Sequence, residues 1–293
     1  MPLLIRFLAL AGILALPAML PAQEQSFVSN GVRIHFVTKG SGMPIVLVHG
    51  RNGSIDTWMS NGVFQELARD HHVIALDCRA HGTSGRPHDP AQYGREMALD
   101  IVRLLDHLQI FQAHVIGYSM GAIITSQLLT LHPERCVSAV LLAGAGRLEW
   151  DETEERFFEQ MAREEEQFGF SPSLTKRLAP PGTPDLTKEE IAQRSAVALA
   201  NPKNDSKAIA ALTRAARDQV ITPAKAAAVK VPTLGIVGSE DPSMLRQLKK
   251  LKEYRPAMPL IVIDGAKHGD VSKRPEFIAE VRKFIAQVES AGQ

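Results

Sequence analysis

Cysteine is almost missing from this chain: Cys78 and Cys136 are the only two among 293 residues. At most one disulfide can form and none is implied. Cys78 falls in the turn after one predicted central strand, whereas Cys136 starts another near its opposite end, too far away to bridge. Neither thiol has a neighbouring base, so neither is read as a nucleophile. An excess of one charge is also missing. Lysine plus arginine (33) and aspartate plus glutamate (32) nearly cancel, aromatics are few at 5%, and the basic residues form no cluster. No nucleic-acid or strongly anionic partner is expected. No cysteine or histidine spacing suits zinc, and Gly40-Ser41-Gly42 lacks the lysine and helix of a phosphate loop. The expected complement is therefore no cofactor and no metal. Internal repeats are absent.

Apolar residues are plentiful, at 45%. The length is generous for one α/β domain with an insertion. Strand-type and helix-type runs alternate, which predicts a mostly parallel sheet with helices on both faces. The most informative stretch is Gly117-Tyr118-Ser119-Met120-Gly121. It lies where an apolar β-type run (residues 113–116) turns into a helix-type run (residues 122–131). There, G-x-S-x-G places the serine on a sharp strand-to-helix turn. The glycines let the flanking segments approach, and the helix N-terminus faces the charge that forms during attack. Ser119 is the predicted nucleophile.

A nucleophilic serine needs a base and a group to orient that base. Residues 232–237 form an apolar strand ending in Gly238-Ser239-Glu240-Asp241, so Asp241 lies past a strand's carboxyl end, where parallel sheets place functional groups. Residues 260–263 form a further strand followed by Asp264-Gly265-Ala266-Lys267-His268-Gly269. Of the ten histidines, His268 alone combines a C-terminal position, a preceding strand and a glycine-flanked loop. Asp241 is preferred as the acid over its neighbour Glu240 and over Asp264 and Asp270.

With these segments in place, the chain resembles the α/β-hydrolase superfamily from about Val32 to Phe284. Val46-Leu47-Val48-His49-Gly50-Arg51 is similar to the family's strand ending in His-Gly. Ala75-Leu76-Asp77-Cys78-Arg79-Ala80-His81-Gly82-Thr83-Ser84 resembles its Asp-x-Arg-Gly-His-Gly-x-Ser segment, with Ala80 where glycine is usual, a change expected to cost little. The resemblance implies a cofactor-free serine hydrolase with Ser119 as nucleophile, His268 as base and Asp241 as orienting acid, acting on carboxylic esters of small or medium size. It also implies an oxyanion hole from the backbone N–H groups of Arg51 and Met120. His49 and His81 belong to landmarks whose usual role is structural. The Arg51 side chain is either a cation that helps bind an anionic substrate or, more simply, a solvated loop arginine. Trp58 is a substrate-contact candidate that can equally be core packing.

Lactone, amide or carbon–carbon bond hydrolysis and perhydrolysis use the same triad and stay open, as does a non-catalytic binding protein of the same fold. A serine nucleophile argues against the dehalogenase and epoxide-hydrolase branches, which use aspartate. The expected partner is a small acyl substrate.

Two segments stand apart. Residues 1–22 carry Arg6, an apolar run broken by Pro17, and Pro21-Ala22. This is the pattern of a secretory signal cleaved near Ala22, with a retained membrane anchor as the alternative, and cleavage implies export with no membrane association afterwards. Residues 147–229 interrupt the strand rhythm between the sixth and seventh strands with charge-rich helical patterns, which resembles the family's helical cap. Residues 23–146 and 230–293 form the predicted core. Phe157, Phe158, Phe168 and Phe170 are candidates for an acyl pocket beneath that cap, or simply hold it to the core.

Overall fold

The computed structural model describes residues 23–180 and 182–292, so the predicted signal segment lies outside the described residues. Eight strands form one sheet: β1 Gln23–Ser29, β2 Val32–Lys39, β3 Pro44–Val48, β4 His72–Leu76, β5 Ala113–Tyr118, β6 Cys136–Leu142, β7 Thr233–Gly238 and β8 Leu260–Ile263. Their spatial order is β1-β2-β4-β3-β5-β6-β7-β8. The pairings β1/β2 and β2/β4 are antiparallel, and all the others are parallel.

The helices in chain order are α1 Asp56–Met59, α2 Val63–Leu67, α3 Arg95–His107, α4 Met120–Leu131, α5 Glu152–Phe168, α6 Pro172–Leu178, α7 Lys188–Ala200, α8 Ser206–Arg214, α9 Pro223–Ala228, α10 Pro242–Tyr254 and α11 Pro275–Ala291. Strand alternation assigns the core. Val46, Ile74, Val115 and Ala139 face α3 and α4, while Ile45, Val73, Ile116 and Val140 face α2 and α11. Because successive side chains point to opposite sides, a strand with helices over both faces must be apolar throughout. That is why the central strands read as unbroken hydrophobic runs.

Five helices, α5 to α9, lie between β6 and β7. Asp151 caps α5 by accepting from the N–H groups of Thr153 and Glu154, and Gly169 closes it in the left-handed conformation at φ 74°. The sequence pattern did not separate α6 and α9. Each begins with a hydroxyl cap followed by proline (Ser171-Pro172 and Thr222-Pro223), a start signal for a short helix. An isolated bridge pairs Arg147 with Val220, and the Ile221 N–H donates to the Arg147 carbonyl at 2.8 Å. The two ends of the insertion are thus tied together beside the sheet.

Ala80 has φ 71° and is buried. A Cβ in that region is strained, so alanine there costs about 1 kcal/mol, somewhat more than the small cost expected. Cys78 and Cys136 are both free and buried. Burial pushes the Cys136 thiol up to about 12 and raises Cys78 further in the same direction, so both are inert.

Candidate active site

Ser119 sits between β5 and α4 at φ 54° and ψ −110°, a backbone conformation that costs of order 1–3 kcal/mol and must be held from outside. Its N–H donates to the Leu142 carbonyl at 2.8 Å, which ties the turn to β6. A Cβ on Gly117 would stand 2.2 Å from the Gly121 carbonyl oxygen, and one on Gly121 would stand 2.2 Å from that of Val48. The two glycines are therefore required by the close passage of α4 over β3 and β5.

Three strand ends converge here. Asp241, after β7, is fully buried and caps α10, its Oδ1 accepting from the Met244 N–H at 3.3 Å. His268, in the loop after β8, donates from Nδ1 to Asp241 Oδ2 at 2.6 Å. With that proton committed, Nε2 is an acceptor, and it lies 3.0 Å from Ser119 Oγ. The rival carboxylates point elsewhere. Glu240 faces Lys267 at 3.8 Å, Asp264 accepts from Ser239, and Asp270 accepts from the Lys267 N–H and Arg274.

Sequence reasoning missed Tyr118, although it stands inside the G-x-S-x-G motif. Its hydroxyl donates to the His268 carbonyl at 2.6 Å, and its ring centroid lies 5.7 Å from the imidazole. Burial pushes the phenol up to about 12, with Asp241 and Asp270 adding to the push, so it stays a donor. His49 and His81 brace the neighbouring loops. The Cys78 N–H donates to His49 Nε2 at 3.0 Å, His81 Nδ1 donates to the Arg79 carbonyl at 3.0 Å, and burial holds both rings neutral.

The backbone N–H groups of Arg51 and Met120 have no hydrogen-bond acceptor among the described residues. Met120 opens α4, where an N–H lacks an intrahelical partner. The Arg51 side chain is not a solvated loop arginine. It pairs with the buried Glu165 of α5 at 2.8 Å and donates to the Thr213 hydroxyl of α8 at 2.8 Å, and Thr213 in turn donates to Glu165. Glu165 and Thr213 gave no local sequence signal, because they stand 114 and 162 residues from Arg51.

Trp58 is a correction. It is completely buried, stacked on Phe277 and edge-on to Tyr118 in the core under α11, because its large apolar surface fills the space between sheet and helix. Phe157 and Phe158, in contrast, line a cavity of about 90 Å³ together with Ser119, Met120, Met161 and Leu212. Phe170 lines a separate hollow of about 570 Å³ that includes Tyr118, His81 and Gly269. Of these two, the smaller cavity is the one lined by Ser119. Among the described residues no group of three or more His, Cys, Asp or Glu side chains is arranged to hold a metal ion.

Residues 43–275 match the family model for the alpha/beta hydrolase fold. The chain belongs to that family. It is 37% identical over 128 residues to a 2-hydroxymuconate semialdehyde hydrolase of Pseudomonas sp. (strain CF600), an alignment covering 43% of this chain and 45% of that protein. It is 44% identical over 93 residues to an esterase of Escherichia coli (strain K12), covering 31% and 35%. The chain thus spans less than half the length of these curated relatives. Among solved structures, a carboxylesterase structure from Nitrososphaera gargenis superposes with a TM-score of 0.73 at 25% identity, covering 92% of this chain and 100% of that one. An N-acyl homoserine lactone degrading enzyme superposes with a TM-score of 0.70 at 25% identity, covering 89% and 100%. An epoxide hydrolase from Vigna radiata, at 17% identity and TM-score 0.69, shares the fold. The chain is accordingly a member of a hydrolase family.

Proposed function

We propose that this protein is a serine hydrolase that cleaves carboxylic esters through an acyl-enzyme on Ser119. The observation that carries the reading is the unbroken relay from Asp241 through His268 to Ser119, with contacts of 2.6 and 3.0 Å. His268 Nε2 takes the hydroxyl proton as Ser119 Oγ bonds to the acyl carbon. The carbonyl π pair moves onto oxygen, in front of the free N–H groups of Arg51 and Met120. Collapse breaks the ester C–O bond, and the His268 proton leaves with the alcohol. Water then repeats the sequence, with His268 as its base, and releases the acid. Asp241 stabilises the imidazolium formed in each half.

The nucleophile also separates this reading from epoxide opening. A serine oxygen attacking an epoxide carbon would leave an ether, which water does not release as it releases an ester. A lactone is an internal ester and is opened by the same steps, so lactonase activity stands within the proposal. Export, inferred from residues 1–22, belongs to the same proposal and is checked by N-terminal sequencing of the protein recovered from its native cell.

The test is hydrolysis of p-nitrophenyl esters from acetate to palmitate by the wild type and Ser119→Ala, together with fluorophosphonate labelling. Activity and labelling that both vanish in the variant support the reading. A wild type that neither hydrolyses nor labels overturns it and leaves a binding protein of the same fold.

A further inference from the structure

Three guanidinium groups line the cavity that holds Ser119: Arg51, Arg147 and Arg177. Two have carboxylate partners, Arg51 with Glu165 at 2.8 Å and Arg177 with Glu154 at 2.9 Å. Arg147 has none. Among the described residues its side chain makes no ion pair and no hydrogen bond, and its buried Nε has no partner. Its guanidinium carbon lies 4.2 Å from the centroid of the Phe158 ring. Stacking on an aromatic face recovers only a small part of the hydration that such a charge gives up. Arg147 is half-buried, with its Nε enclosed. A fold ordinarily pairs such a partly desolvated charge, yet here the backbone at Arg147 is pinned by its bridge to Val220 and the Ile221 N–H.

We propose that Arg147 is a carboxylate-recognition residue, and that the acyl group accepted beside Ser119 carries a second, unreacting carboxylate. The inference rests on the hydrolase reading for the position of the acyl group and adds the class of acid. A planar guanidinium presents parallel N–H donors that match a carboxylate in bidentate fashion, which an ammonium does not. Ser119 and Arg147 line the same cavity of about 90 Å³, whose size suits a short acyl chain, so a four-carbon diacid is the class proposed. Arg147 and Arg177 also border a neighbouring hollow of about 520 Å³, whose charged lining mixes Arg246 and Lys250 with Glu149, Asp151 and Glu154. Burial pushes the Arg147 guanidinium down to about 9, with Arg51 and Arg177 adding to the push and Glu154 opposing it. It still carries its charge at neutral pH. The reaction is unchanged: the second carboxylate neither gains nor loses a proton, and only ground-state and transition-state binding are affected.

The experiment compares two esters of equal acyl length, p-nitrophenyl hydrogen succinate and p-nitrophenyl butyrate, on the wild type, Arg147→Met and Arg147→Lys. The quantity read is the ratio of kcat/KM for the anionic ester to that for the neutral one. The expected wild-type ratio is above about 10. It should fall at least tenfold in Arg147→Met and be recovered only partly in Arg147→Lys, because lysine keeps the charge but not the fork. A wild type that prefers the butyrate, or a ratio that Arg147→Met leaves unaltered, overturns the proposal while the hydrolase reading stands. If neither ester turns over and Ser119 does not label, the hydrolase reading has failed and calorimetry decides the inference alone. Succinate binding to Ser119→Ala that is lost in Ser119→Ala/Arg147→Met supports anion recognition, and no binding to either overturns it.

Discussion

Replacing Glu165 should disturb both the stability of this protein and its proposed chemistry, because Glu165 joins the insertion to the loop that carries one free amide of the site. Glu165 is buried on α5 and meets Arg51 at 2.8 Å, with side-chain exposures of 2% and 14%. Burial raises its carboxyl, and the Arg51 charge and the Thr213 hydroxyl pull it back. Removing one partner of a buried pair costs roughly 3–5 kcal/mol, because the other charge is left desolvated and alone. Arg51 is not wholly buried and would keep its bond to Thr213, so about 2–3 kcal/mol is expected for Glu165→Ala. Glu165→Gln keeps the shape and should cost less. The activity effect follows from the proposed mechanism, in which Arg51 supplies an oxyanion N–H, and losing such a donor outright lowers kcat about 10²–10³-fold. A displaced donor should cost about tenfold in kcat with little change in KM. Urea unfolding at pH 7.5 and p-nitrophenyl acetate hydrolysis would be measured for Glu165→Ala, Arg51→Met and the double variant. A coupling free energy of about 2 kcal/mol between the two positions is expected. A coupling below about 0.5 kcal/mol, or a Glu165→Ala enzyme within twofold of wild-type kcat, would refute the argument.

Tyr118→Phe removes the hydrogen bond to the His268 carbonyl. Loss of about 1 kcal/mol of loop positioning predicts a five- to tenfold lower kcat and equally slower fluorophosphonate labelling, and unchanged labelling would count against a positioning role. Ala80→Gly relieves a left-handed alanine at φ 71°. Set against an entropy cost of roughly 0.5–1 kcal/mol for glycine, it should raise stability by no more than about 0.5 kcal/mol. This is read as an equal or slightly higher urea midpoint with an unchanged slope, and a clearly lower midpoint would contradict the strain. His49 and His81 are held neutral by burial, their pKa values lowered in the fold. The unfolded chain therefore binds protons that the folded one refuses, and stability is lost as pH falls below about 6.5. Between pH 7.5 and 5.5 each ring should contribute up to about 1.4 kcal/mol of that loss, and a urea midpoint that rises on acidification would contradict the assignment.

Much of the site was legible locally. A serine between glycines at a strand-to-helix junction, and an acid and a histidine each just past an apolar strand, are set by near-neighbour geometry, since the conformations of a few residues decide where a strand stops and which element comes next. Parallel order then carries those three ends to one edge of the sheet, where Asp241, His268 and Ser119 are linked by contacts of 2.6 and 3.0 Å. The alternation of strand-type and helix-type runs likewise made the two-faced core readable in advance.

The rest belongs to contacts between residues far apart in the chain. Trp58 lies in the core because Phe277, more than two hundred residues later, closes over it, and nothing near Trp58 announces that. Arg51 is clasped by Glu165, while among the described residues Arg147 meets no carboxylate, a distinction that depends on how the insertion folds back over the sheet. Local pattern and strand polarity were enough to establish the fold and to point to the turn at Ser119 and to Asp241 and His268 at neighbouring strand ends. Which charges are paired, which aromatics reach the cavity and what the cavity can admit emerged only once the chain was folded. Burial and electrostatic pairing are properties of neighbours in space.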